Sequence, residues 1–307
     1  MNIGVFGGSG FVGNYIVNEL LDSNYKVTVL VRKESESKLS NSSKCNIVYG
    51  DIKNEKAIRE VVEKSDAIIY NIGIIREFPS QNITFDNLHY KGAKLVIDIA
   101  KDCNIERFVL MSANGVVPNG TGYQKTKYKA ENYLKANIRD WTIIRPSLVF
   151  GNPLNCIEFC SQLKSDMLSL PFPAPSFFKG LNIFNAGKFK MSPVHVKDVS
   201  KVFVECIANN HSFKKIYHLG GESFTWNEIV KIISSSYGRQ KLMIPTPSIG
   251  VYFAALLLDR FKWFPISRDQ ITMLLEGNEC NSNDIFSRYK IKPILFNKEN
   301  LSYLNDK

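Results

Sequence analysis

The chain has no apolar stretch close to the roughly 20 residues that a membrane-crossing helix needs, so no transmembrane segment is expected. Histidine is scarce, with four residues, and the six cysteines (Cys45, Cys103, Cys156, Cys160, Cys206 and Cys280) are scattered. Only Cys156 and Cys160 lie close together, and no Cys/His cluster has zinc spacing, so no metal centre is expected. Thiols spread in this way read as reduced side chains of a cytosolic protein. No helix-turn-helix, zinc finger or RNA-binding signature occurs, which argues against a nucleic-acid partner. Repeats and low-complexity tracts are missing as well. Met1-Asn2-Ile3 runs directly into a strand, so no cleaved leader is expected. Acidic residues are in deficit: 29 against 39 basic ones leaves a net charge of +10, which favours anionic partners such as phosphorylated small molecules, acidic lipid or an acidic protein.

What is present is an alternation of strand and helix patterns. Ile3–Phe6, Lys26–Val31, Cys45–Tyr49, Ala67–Asn71, Arg107–Ser112 and Trp141–Arg145 read as short apolar strands. Phe11–Leu21, Lys56–Lys64, Asn87–Asp102 and Thr126–Ala136 read as helices, with apolar side chains such as Val12, Ile16 and Leu20 on one side. That order predicts an α/β fold of the doubly wound Rossmann type, a parallel sheet covered on both faces. The character changes after Pro146, and a soft boundary is placed near residue 150. The division is then 1–150, a dinucleotide-binding domain, and 151–307, a smaller helix-rich lobe on the sheet edge. Within the lobe, helices are expected over Val196–Asn209 and Thr225–Ser236, and a helix-rich tail from Pro247.

Gly7, Gly10 and Gly13 form G-x-x-G-x-x-G immediately after the first strand and open the first helix. Small residues let backbone amides approach a pyrophosphate, and the positive end of the helix faces it. Gly7, Ser9, Gly10, Phe11, Val12 and Gly13 are therefore candidate cofactor-binding residues. The second strand ends Val31-Arg32-Lys33, with no acid before Glu34. A carboxylate there would repel a 2′-phosphate, whereas Arg32 can pair with one. NADP(H) is the preferred cofactor and NAD(H) the alternative; the other reading of Arg32 and Lys33 is a pair of solvated loop charges. Tyr123 and Lys127 form Y-x-x-x-K on one helical face. A neighbouring ammonium lowers a phenol's pKa, so the pair suits proton transfer beside a nicotinamide. The competing reading is a solvated, Lys-rich helix start.

With these motifs in place, the chain resembles the extended or atypical short-chain dehydrogenase/reductase superfamily over most of its length. The resemblance also rests on Gly50-Asp51-Ile52, Arg145-Pro146-Ser147 and Pro193-Val194-His195-Val196-Lys197-Asp198-Val199. It implies that Asp51 and Ile52 flank an adenine, that Pro146 lies beside the nicotinamide, and that Lys127 holds the nicotinamide ribose. Asn71-Ile72-Gly73-Ile74-Ile75-Arg76-Glu77 and Phe108-Val109-Leu110-Met111-Ser112-Ala113 resemble a narrower group, related to the NADPH-carrying accessory subunit of respiratory complex I. Asn71 and Gly73 join the cofactor candidates on that ground. Catalytic relatives place a Ser or Thr after the fifth strand; here Ser112, Ala113 or Asn114 occupies that place, and Ser112 is the candidate. His195, before a helix, reads as packing or capping.

Two functions follow. One is an NADPH-binding accessory or assembly factor of a respiratory NADH:quinone oxidoreductase with little or no turnover. The other is an NADP-dependent oxidoreductase or epimerase acting on a nucleotide-sugar or another small carbonyl or alcohol through Tyr123 and Lys127. The lobe adds an unbroken apolar run, Val251–Leu258, followed by Asp259, Arg260, Phe261, Lys262, Trp263 and Phe264. It also carries Phe172, Phe177, Phe178, Phe184 and Phe189 among Lys179, Lys188 and Lys190. The run reads either as core or as an interface to a membrane-bound complex or an anionic membrane surface. The expected location is cytoplasmic, peripheral on the inner face of the cytoplasmic membrane.

Overall fold

The computed structural model describes residues 1–259, 261, 264 and 266–305; Arg260, Lys262 and Trp263 of the stretch after the apolar run lie outside the described residues. Seven strands form a parallel sheet: β1 (Asn2–Phe6), β2 (Lys26–Val31), β3 (Asn46–Tyr49), β4 (Ala67–Tyr70), β5 (Arg107–Met111), β6 (Asp140–Pro146) and β7 (Lys215–Leu219). Their order is β7-β6-β5-β4-β1-β2-β3, with Ile3 of β1 opposite Val27 on one side and Ala67 on the other. The fold is the doubly wound Rossmann type. Inner strands of such a sheet are covered on both faces, which is why β4 and β5 are apolar at nearly every position.

On one face pack α1 (Phe11–Asp22) and α5 (Val196–Ala208), sealing a core that includes Ile3, Val5, Ile16, Val29 and Phe203. On the other lie α2 (Glu55–Glu63), α3 (Gly92–Asp102) and α4 (Gly122–Asn137), over Phe6, Ile68, Tyr70 and Phe108. The helix expected over Asn87–Asp102 begins with a π-helical turn, Asp86–Lys91, before α3. Both β7 and α5 come from beyond residue 150, so that part of the chain contributes to the sheet as well as forming the lobe.

The lobe has its own core of Phe150, Trp226, Ile229, Ile271 and Leu301, around α6 (Trp226–Ser236). Phe177 is buried in it and Phe189 stacks on Trp226, whereas Phe172 and Phe184 stand exposed. α7 (Ser248–Leu258) packs on α8 (Arg268–Glu276), but burial reaches only Ser248 and Ala255 of α7. Ile249, Tyr252, Phe253, Leu256 and Leu257, spaced as one helical face, are open to solvent, with Leu257 at 68%. The apolar run is therefore mostly surface. Among the described residues, no helix is long and apolar enough to cross a membrane.

Candidate dinucleotide-binding site

The strand order reverses between β1 and β4, because the chain leaves β1 toward β2 and β3 and then returns to β4. A crevice opens at the carboxyl ends of strands at such a switch point, and ligands settle there. Gly7 and Asn71 occupy this place. Gly7 has φ of +94°, and a Cβ on it would lie 3.0 Å from the Asn71 backbone. Gly13 is tighter, since its Cβ would fall 2.0 Å from the Gly7 carbonyl oxygen. Gly10 is exposed, and a Cβ there would meet only the Gly7 oxygen at 3.4 Å. Two glycines thus close the turn and the third leaves its outer side open. Gly10 is also the N-cap of α1, whose first turn has no side-chain cap and no acidic residue, so its positive end faces the crevice uncompensated.

The flanks of the turn are built from residues beyond the motif. Gly8 lies against Val29, where a Cβ would come within 2.7 Å. Cys156 Sγ donates to the Ser9 carbonyl at 3.6 Å. Asn14, fully buried, donates to the Lys38 and Gly10 carbonyls and accepts from Ser40 N–H, tying the turn to the segment after β2. Arg32 stands exposed at the end of β2, 3.6 Å from Glu34 and 3.4 Å from Ser35 Oγ. Asp51 is exposed and accepts from Lys53 N–H, while Ile52 is buried with Phe6 and Leu30. Asn14 was missed by motif reading.

Tyr123 and Lys127 sit at the start of α4, fixed by a reciprocal capping box between Thr121 and Gln124. Tyr123 is held edge-on by Phe85 and His89, with ring centroids 5.6 and 5.1 Å away. Part of it stays open, and burial of the rest pushes its hydroxyl up to about 12. Lys127 is buried, donates to the Met111 carbonyl at 3.0 Å, and is held down to about 8 by burial, against an opposing pull from Glu131. Gly73 faces this ammonium: a Cβ there would be 3.4 Å from Lys127 Nζ and 3.9 Å from His89 Nε2. His89 Nε2 accepts from Ile74 N–H (3.1 Å), so Nδ1 carries the proton and donates to Thr126 Oγ1 (3.2 Å). Burial and the Lys127 charge hold its pKa well below 6.5, keeping it neutral. His89 thus joins the segment after β4 to the start of α4.

The three residues after β5 have separate fates. Ser112 Oγ donates to Glu131 Oε1 at 2.5 Å, pointing into the space beneath α4. The side chain of Ala113 carries no donor. Asn114 is engaged by Asn278, Glu279 and His218 Nδ1. Glu131 is fully buried and also binds Arg145 through Nε (2.8 Å) and Nη2 (2.5 Å). On sequence alone Glu131 looked like one more charge on a Lys-rich helix; the only hint was its spacing of four from Lys127. Pro146 ends β6, buried, with its carbonyl accepting from Asn114 N–H. His195 Nδ1 accepts from Lys197 N–H, in keeping with the capping reading.

Between the N-cap of α4 and α8 opens a cleft of about 370 Å³ lined by residues that include Thr121, Tyr252, Arg268, Asp269 and Glu276. A larger hollow, about 530 Å³, involves Ser23 and Tyr25 beyond the far end of α1 from the glycine turn, and is remote from these groups.

Residues 7–156 match the family model described as NAD(P)H-binding. With the crevice, turn and sheet order above, that region is an NAD(P)-binding domain of the Rossmann type. Relatives of the chain include subunits of respiratory complex I. The chain is 25% identical over 274 residues to the mitochondrial NADH-ubiquinone oxidoreductase 40 kDa subunit of Neurospora crassa, covering 87% of this chain and 68% of that one. It is 26% identical over 277 residues to NADH dehydrogenase (ubiquinone) 1 alpha subcomplex subunit 9 of Dictyostelium discoideum, covering 87% and 73%. The fold is shared with Thermus thermophilus UDP-glucose 4-epimerase solved with NAD, at a TM-score of 0.73 and 16% identity over 100% of this chain and 98% of that one.

Proposed function

We propose that this chain is an NADPH-binding accessory subunit or assembly factor of a membrane-bound respiratory NADH:quinone oxidoreductase, with little or no turnover. The observation that carries the reading is the contrast within the site. The glycine turn is open to a pyrophosphate, yet the hydroxyl at Ser112 is committed to Glu131, and Tyr123 keeps a pKa raised to about 12. A phenol that stays protonated to about pH 12 is a poor base at neutral pH, which leaves it only the role of proton donor. The cofactor then acts as a structural ligand, which stabilises the fold by mass action. We assign Gly7, Ser9, Gly10, Phe11, Val12 and Gly13 to the pyrophosphate of such a cofactor and Asp51 and Ile52 to its adenine, as the resemblance implies. Asn71, Gly73, Lys127 and Pro146 would hold the nicotinamide side.

Arg32 supports NADPH over NADH. Its bond to Glu34 is long and exposed, so a 2′-phosphate competes for it readily. A charge-assisted hydrogen bond is worth about 1.5–3 kcal/mol, so Arg32→Ala should weaken NADPH about tenfold or more and leave NADH nearly unchanged in a titration. Equal losses for both cofactors refute the preference. Attachment is assigned to the exposed apolar face of α7, backed by the net charge of +10, which suits a membrane-bound complex or an anionic membrane surface. Fractionation at low and high salt followed by native electrophoresis tests it. The protein should be found with the membrane and migrate in a large assembly; migration alone at low salt overturns the reading. Consumption of a carbonyl substrate that is lost in Tyr123→Phe would instead establish the oxidoreductase or epimerase function.

A further inference from the structure

Two sets of hydrogen bonds fasten the α7–α8 pair to the walls of the dinucleotide crevice. Arg76, five residues past Asn71, donates to the carbonyls of Asp259 (2.6 Å), Phe261 (2.7 Å) and Phe264 (2.5 Å), just past the end of α7. At the start of α4, Tyr123 N–H donates to Asp269 Oδ2 (3.2 Å) and Gln124 Nε2 to Glu276 Oε2 (2.9 Å), both on α8. Arg268 closes the pair by binding Asp259 Oδ2 at 3.1 Å. The two bases are themselves joined by His89, which holds Ile74 N–H on one side and Thr126 on the other. Gly73, between Asn71 and Arg76, faces Lys127. One connected set of polar contacts therefore runs from the crevice to the helix that bears the exposed apolar face.

We infer that dinucleotide occupancy and the pose of α7 are coupled through Arg76, so that filling the crevice firms the helix pair that carries the exposed apolar face. This rests on the crevice binding NADPH, as proposed above. A ligand between the glycine turn and Lys127 restrains the 71–76 segment and the start of α4 together, and both anchors of the pair begin there. By linkage the effect is reciprocal: whatever holds α7 raises dinucleotide affinity by the same factor.

The test is amide hydrogen exchange on the full chain, with and without NADPH, in the native protein and in Arg76→Ala. NADPH should slow exchange in α7 and α8 about fivefold or more in the native protein, the lower range of such couplings. In Arg76→Ala, NADPH should still slow exchange around Gly7–Gly13 and no longer alter α7. A purely structural role for Arg76 would raise exchange in α7 while leaving the NADPH response intact, and that result overturns the inference. Asp269→Ala, which removes the acceptor of Tyr123 N–H, should reduce the response of α8 and serves if Arg76→Ala does not fold. Protection of the glycine turn without any change in α7 or α8 refutes the coupling and leaves the cofactor reading standing. Absence of NADPH binding to the native protein overturns both.

Discussion

Replacing Glu131 by Ala removes the carboxylate on which the interior beneath α4 is built. Glu131 has no exposed surface, while the Arg145 side chain is 15% exposed. The change strands a guanidinium that water reaches only at its edge, and it leaves Ser112 Oγ without its acceptor. Breaking a buried pair from one side costs about 3–5 kcal/mol. The slight exposure of Arg145 lowers this and the orphaned hydroxyl raises it, so the expected loss is about 4 kcal/mol, a large share of ordinary domain stability. Chemical denaturation of the native protein, Glu131→Ala, Arg145→Met and the double variant Glu131→Leu/Arg145→Met checks it. The double variant should recover at least half of the single loss, because most of that loss is the uncompensated charge and not the value of the pair. A single loss below about 1 kcal/mol, or a double variant as unstable as the two losses summed, would refute this reasoning.

Burial holds Lys127 near 8 in the folded protein against 10.5 ordinarily, so native stability should rise relative to Lys127→Met as pH climbs from about 8 to 10.5. The rise corresponds to about 3 kcal/mol, is absent below that window and complete above it; a difference that stays flat from pH 7 to 11 contradicts it. Gly13→Ala sets a Cβ against the Gly7 oxygen, so it should cost about 1–3 kcal/mol and abolish dinucleotide binding, read by thermal unfolding and titration. Polar replacement of Ile249, Phe253 and Leu257 should change stability by no more than about 0.5 kcal/mol per site while weakening membrane or complex association. Unfolding of that variant would show the face to be core.

Five of the first six strands were legible within a residue or two because inner parallel strands must be apolar on both faces, which leaves a strong signal; the remaining one, the edge strand β3, showed through Ile47 and Val48. β7 was not, since Lys-Ile-Tyr-His-Leu is an edge strand with polar side chains, and its partner β6 lies far back in the chain. The glycine turn was readable from its spacing together with its place between a strand and a helix. The role of Ser112 was not, because it is decided by Glu131, and nothing local distinguishes a buried glutamate from its solvated neighbours on α4. His89 and Asn14 escaped for the same reason: each acts through partners many residues away. The apolar run at Val251–Leu258 was visible, but its composition suits a core as well as a surface, and only packing on α8 fixes which side is covered.

The late arrival of β7 bears on synthesis. As the chain emerges, β6 is complete long before Leu219, so the growing sheet displays an unpaired apolar edge at Ile143 and Ile144. At about 5–20 residues per second, that edge waits for several seconds, and open strand edges are where chains join one another wrongly. Arg107, which binds carbonyls of both Asp140 and the end of α5, can settle only when that distant helix docks. Closure of the nucleotide-binding half is therefore a late event in folding, and expression of residues 1–150 alone should give an aggregating fragment in place of a binding domain.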